Sequence, residues 1–120
     1  MNRYINITHN GENYKLEFTR DTIKLLEQQG FNYEDFITKP MTNIELAFSA
    51  AFLKNHPKIQ QNLIDEIYTS CKNKDKLIAT LRVMIDDCYE SLLSDPEDDS
   101  GNTTWEMVDL TPKKKEKNQG

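Results

Sequence analysis

"TNIELAFSAAFLKNHP", Thr42 to Pro57, is the stretch on which the fold of this chain turns. Leu46, Ala47, Phe48, Ala50, Ala51, Phe52 and Leu53 are interrupted only by Ser49. A helix through them is apolar nearly all round. A short chain must bury such a helix at the centre of its core or offer one face of it to a partner. Thr42 with Glu45 three residues on forms a capping box and predicts the helix start there. Pro57 predicts its stop.

Upstream, "FNYEDFITKP" (31–40) is too apolar for a free linker, through Phe31, Tyr33, Phe36 and Ile37, and is expected to lie against the core. Pro40 biases Lys39 away from helix. "TRDTIKLLEQQG" (19–30) reads as a helix capped by Thr19, with Asp21 in its first turn and Gly30 at its end. Ile23, Leu26 and the following Phe31 would face inward, with Leu25 at the edge. Before it, "RYINIT" and "NYKLEF" alternate apolar and polar side chains around "HNGEN". Asn-Gly between alternating segments predicts a hairpin, which must pack on helices or another chain to be stable.

Downstream, "PKIQQNLIDEIYTSCKN" (57–73) predicts a third helix with Pro57 in its first turn and a stripe of Ile59, Leu63, Ile67 and Cys71, flanked by Ile64 and Tyr68. The fourth runs from about Lys74 to Ser94. Leu77, Leu81, Met84, Cys88 and Leu92 form its inner stripe, and Asp86, Asp87 and Glu90 mark its outer face. The expected fold is therefore mainly α: an N-terminal β-hairpin and about four helices in one domain over 1–94. Residues 95–120 form an acidic, then basic, partly disordered tail.

Charge is unevenly spread along the 120 residues. Residues 1–94 carry 11 basic and 13 acidic side chains, a net −2. Residues 95–109 carry six acids and no base, and 113–120 carry four lysines and one glutamate. The nearly neutral body has no basic stripe of the kind nucleic-acid binding requires. No apolar run approaches the length of a membrane span, and the start lacks the apolar core of a signal peptide. Cys71 and Cys88 have no second pair to complete a zinc site, and read as small core side chains of a reduced protein.

Asp95, Glu97, Asp99 and Glu106 fall at the first, third, fifth and twelfth positions of a calcium-loop spacing. The remaining requirements fail. Position six is Ser100, with Gly101 one place late; position eight is the polar Asn102; and no helix follows. The run reads as solvated tail. Trp105 does not fit that reading, because an indole carries a large apolar surface. "TTWEMV" (103–108) either folds back as a strand beside the hairpin or docks on a partner.

No set of catalytic residues emerges. His9 and His56 have no ligand-spaced neighbours, with His56 placed at the junction of the second and third helices. Asp65-Glu66 and Asp86-Asp87 are adjacent on helices and point apart. There is no phosphate loop and no nucleophile elbow. No cofactor, metal or enzymatic activity is expected. The apolar second helix and the aromatic connector instead suggest a surface that receives a partner helix.

The runs "LEFTRDTIKLLEQQGFN", "KPMTNIELAFSAAFLKNHP", "LIDEIYTSCKNKDKLIATLRVMIDD" and "LLSDPEDDSGNTTWEM" resemble the tail assembly chaperones of long-tailed bacteriophages and prophages of Firmicutes-type hosts. The resemblance spans about residues 9–108. It implies a non-catalytic protein of the host cytoplasm that binds and solubilises the tape measure protein and is absent from the mature virion. It also implies recruitment of the tail tube protein, in some members through a longer, frameshifted form; Lys113-Lys114-Lys115 after Pro112 is compatible with a slippery codon run. A structural head-to-tail adaptor or minor tail protein retained in the virion is the alternative. The expected partner contacts are Phe48, Phe52 and Phe36, then Trp105, and self-association stays open.

Overall fold

A computed structural model describes residues 3–36, 38–96 and 103–111. The chain opens with an antiparallel hairpin, β1 (Ile5–His9) and β2 (Glu12–Leu16), in which Ile5 faces Leu16 and His9 faces Glu12. Asn10 and Gly11 join them, both at positive φ (52° and 82°). Two successive positive-φ residues make the turn whose twist matches that of the strands, which is the reason Asn-Gly suits it.

Four helices follow: α1 (Arg20–Gln28), α2 (Pro40–Ala51), α3 (Gln61–Ser70) and α4 (Lys74–Leu93). The fold is thus the expected hairpin and four helices. Thr19 caps α1, and its hydroxyl accepts from the Thr22 N–H while the Thr22 hydroxyl accepts from the Thr19 N–H. At the other end Gly30 takes φ 98°. Its N–H reaches the Glu27 carbonyl, and the Phe31 N–H reaches back to that of Leu26. This is a Schellman closure, with Phe31 and Leu26 packed in the same apolar cluster.

The ends of α2 and α3 differ from expectation. The first turn of α2 begins at Pro40, because the fixed φ of proline suits the first helical position and its missing N–H costs nothing there. Thr42 is consequently inside the helix and is not its cap. The helix ends at Ala51, short of Pro57, and a run of turns covers 52–59, in which the His56 N–H bonds the Phe52 carbonyl and the Ile59 N–H bonds that of His56. Pro57 therefore lies in a loop, and α3 starts at Gln61. The His56 ring, tilted against Tyr14 at 5.2 Å, accepts from the Lys15 N–H at 3.0 Å, so this loop is pinned to β2.

Two apolar clusters share α2 and α4. On one side, Leu16 of β2 packs with Phe48, Ala51 and Phe52 of α2, Ile64 and Ile67 of α3, and Leu81 of α4. On the other, Ile23 and Leu26 of α1 and the connector's Phe31 and Phe36 pack with Ala47, Ala50 and Ile85. Most of α2 is thus central core, while its first turns keep one face outward. The connector lies against the core as expected, through a single 3-10 turn, Tyr33–Asp35; Ile37 is outside the described residues. Asp86 and Asp87 are half-buried and do not sit on a free outer face. Asp86 accepts from the Tyr33 hydroxyl, and Asp87 pairs with Arg3 at 2.9 Å. They do diverge, as neighbours on a helix should.

After Leu93 the chain leaves the helical body. Thr103–Leu110 lies outside any helix or strand, and among the described residues the sheet has two strands. The fold-back of "TTWEMV" onto its own hairpin is therefore not realised. Most of the calcium-like loop, from Glu97 to Asn102, and the lysines at 113–115 are outside the described residues.

Candidate functional site

The four residues expected to meet a partner separate sharply. Phe36 and Phe52 are 0% exposed and Phe48 is 2% exposed, whereas Trp105 is 87% exposed. The three phenylalanines are core side chains. Phe36 stacks edge-on against Phe31, and Phe52 against Phe48 and Tyr14. In a helix apolar nearly all round, residue type alone does not say which side chains face outward, which is why the sequence reading offered Phe48 and Phe52 to a partner; Phe36, in the aromatic connector, gave no local sign of its burial.

What lies outward is a groove of about 350 Å³ between the first three turns of α2 and the body of α3. Met41 and Ile44 line one wall, Ile64 and Tyr68 the other, and an edge of Phe48 reaches the floor. Met41 is 87% exposed, a large apolar side chain held in water at the mouth. Phe48 sets the floor's shape by T-stacking on Tyr68 at 5.1 Å. Tyr68 is steadied in turn by Lys74, whose ammonium sits 5.4 Å over the ring and donates to the carbonyls of Thr69 and Cys71. At the other end Gln61 donates to the Ser49 hydroxyl and to Asp65, latching the start of α3 to the last turns of α2. Glu45 and Asp65 stand on the rim. Glu45 has no ion-pair or hydrogen-bond partner among the described residues. The site is therefore an apolar trough with an acidic edge.

The sequence reading missed Met41 because its capping box began the helix at Thr42, and Ile44, inside that helix, carries no signal of which face it takes. With Pro40 as the first helical residue, Met41, Ile44, Glu45 and Phe48 recur at helical spacing along one face.

Asn43 gives α2 its seat. Its buried amide accepts from the Asn32 N–H at 3.0 Å and donates to the Lys39 carbonyl at 2.9 Å and the Asp35 carbonyl at 3.3 Å. It thus ties the connector to the first turn of α2 and fixes how Met41 is presented.

The remaining polar clusters act as staples. The Tyr33 hydroxyl donates to Asp86 and the Tyr89 hydroxyl donates to Glu27 at 2.8 Å. The hydrogen bond to Asp86 raises the Tyr33 phenol above its usual range; burial, aided by Glu27, pushes Tyr89 up to about 12. Both phenols stay protonated near neutrality and serve as donors. Cys71 and Cys88 are free and half-buried, each packed on one apolar cluster, and burial raises both thiols. His9 meets Glu66 at 2.8 Å, a carboxylate brought in by α3 that no local spacing announces. Among the described residues, no three metal-ligating side chains converge, and no helix is long and apolar enough to cross a membrane.

Residues 1–108 match a family described as a domain of unknown function, DUF5055. No curated protein and no solved structure matches the chain.

Proposed function

The chain belongs to the DUF5055 family, and from the α2–α3 groove together with the sequence resemblance we propose that it is a non-catalytic tail assembly chaperone that holds the tape measure protein soluble in the host cytoplasm while a phage tail is built. The observation carrying this reading is the groove. A trough walled by Met41, Ile44, Ile64 and Tyr68 suits the apolar stripe of an amphipathic helix, one of the recurring ways a folded domain captures a segment that aggregates alone. Exposed apolar side chains at its mouth are unfavourable in the free protein and become useful when a partner covers them. The sequence resemblance supplies the partner's identity, and the tail tube protein would be engaged separately.

Contact therefore moves from Phe36 and Phe52, which build the core, to the groove walls. The test is co-expression with the tape measure protein encoded at the same locus, followed by affinity purification. The expected result is a tape measure protein that is insoluble alone and co-purifies in soluble form with this chain. Absence of both complex and rescue overturns the reading, and recovery of the chain in purified virions would favour a structural adaptor.

A further inference from the structure

Thr103–Leu110 is fully outside the helical body, yet it carries Trp105, Met107, Val108 and Leu110, all exposed. The groove on α2–α3 is a poor seat for it, since Glu106 and Asp109 would meet the acidic rim of Glu45 and Asp65. A better seat lies on the hairpin. In a two-residue hairpin closed by His9 and Glu12, the main-chain groups of alternate residues point away from the partner strand. On β2 the outward groups of Lys15 are taken: its N–H by the His56 ring and its carbonyl by the Asn55 amide at 3.1 Å. The next backbone N–H, that of Glu17, goes to the Ala51 carbonyl. On β1 the outward groups belong to Asn6 and Thr8, and among the described residues they have no partner. The β2 edge is closed at Lys15 and Glu17, leaving Asn13 beside the turn, whereas the β1 edge is open along its length, and an open edge is a template for another strand.

We propose that Thr103–Val108 of a second copy of this chain adds to the open edge of β1, and that two copies exchange these segments reciprocally to form a dimer. The side-chain alternation matches from Thr103 to Met107. Ile5 and Ile7 lie half-buried on the core side of β1, while Asn6 and Thr8 face water. A strand placed beside them sets Trp105 and Met107 over the apolar row and Thr104 and Glu106 beside the polar one, on the same face as Lys15. Threonine, tryptophan and valine favour a pleated, half-buried position. Among the described residues each copy offers the open β1 edge and an unpartnered segment, so reciprocal exchange satisfies both and closes the assembly at two. In the isolated chain the segment lies unpaired, which leaves the second copy as its source. This inference stands apart from the groove and the tape measure reading.

Sedimentation of the full chain at high micromolar concentration tests it, alongside Trp105 emission followed on dilution. The expected result is a dimer whose tryptophan emission is blue-shifted and moves to the red as the dimer dissociates. Thr8→Pro removes an outward N–H that β2 does not use, and proline is tolerated on an edge strand. It should give a folded monomer. Trp105→Asp should do the same, and it carries the test should Thr8→Pro fail to fold, because the Trp105 indole is 87% exposed in its own chain. A dimer indifferent to both substitutions overturns the proposal. So does a full chain that stays monomeric, whether its tryptophan emission is red-shifted, meaning no docking, or blue-shifted at every dilution, meaning docking on its own hairpin.

Discussion

Asn43 and Thr42 are neighbours in α2 with opposite standing. Thr42 carries the sequence signal of a cap, yet it is exposed inside the helix; Asn43 carries no signal and holds three backbone groups in a buried seat. Removing the Asn43 amide leaves the Asn32 N–H without its acceptor, while the Asp35 and Lys39 carbonyls keep their backbone donors, a loss of about 0.5–1.5 kcal/mol for Asn43→Ala. Thr42→Ala should stay within about 0.5 kcal/mol of the parent. Urea unfolding of both variants checks the pair, and equal losses would restore the capping box. Glu17 makes a second prediction. Its carboxylate accepts from Lys54 at 2.8 Å, and this bond holds its pKa below the ordinary carboxylate value. A group depressed on folding stabilises the fold above its unfolded pKa, and that stabilisation is lost as pH falls through the folded value. The pair is partly open to solvent, so its worth is roughly 0.2–1 kcal/mol. Melts of Glu17→Gln and the parent should differ at neutral pH and converge in acid. Such roles were hidden in the sequence because the partners are distant along the chain, as His9 and Glu66 are.

Elements were legible where their signals are local. The Asn-Gly turn, the Thr19 cap, Gly30 and the long stripe of α4 each act within a few residues, and each element sits where they put it. Gly30→Ala tests that locality. No atom lies within 4 Å of an added Cβ, so the cost comes from the left-handed backbone alone, about 1 kcal/mol by thermal melt. The boundaries of α2 and α3 were not legible, because Pro57 suits a helix start as well as a loop. What decided against it is the Lys15 N–H reaching the His56 ring, a contact between distant segments. The all-round apolarity of α2 likewise concealed which of its faces is core. Substitution separates the faces. Phe52→Ala opens a cavity in the centre of a cluster and should cost about 3–5 kcal/mol. Met41→Asp alters an exposed mouth residue; it should leave the unfolding midpoint near that of the parent while abolishing the proposed capture of the tape measure protein. A Met41→Asp variant that unfolds would place Met41 in the core instead.

At the scale of the whole molecule, α2 and α4 run through both apolar clusters, so the hairpin side and the α1 side unfold as one unit. Thr103–Thr111 is outside that unit, as the collapse of apolar content suggested, but the sequence did not say what its tryptophan touches. Stability as a function of concentration answers this without knowledge of any partner. An unpaired tail contributes nothing to the melt, so a chain ending at Leu93 and the full chain should unfold at the same temperature when dilute. Exchange of strands between copies links folding to assembly, and a ligand at a hundred times its dissociation constant adds about 2.7 kcal/mol to the bound fold. The melting temperature of the full chain should therefore climb with protein concentration, while that of the shortened chain stays level. Parallel behaviour of the two would mean that Trp105 awaits a different protein, and the open edge of β1 would then need another occupant.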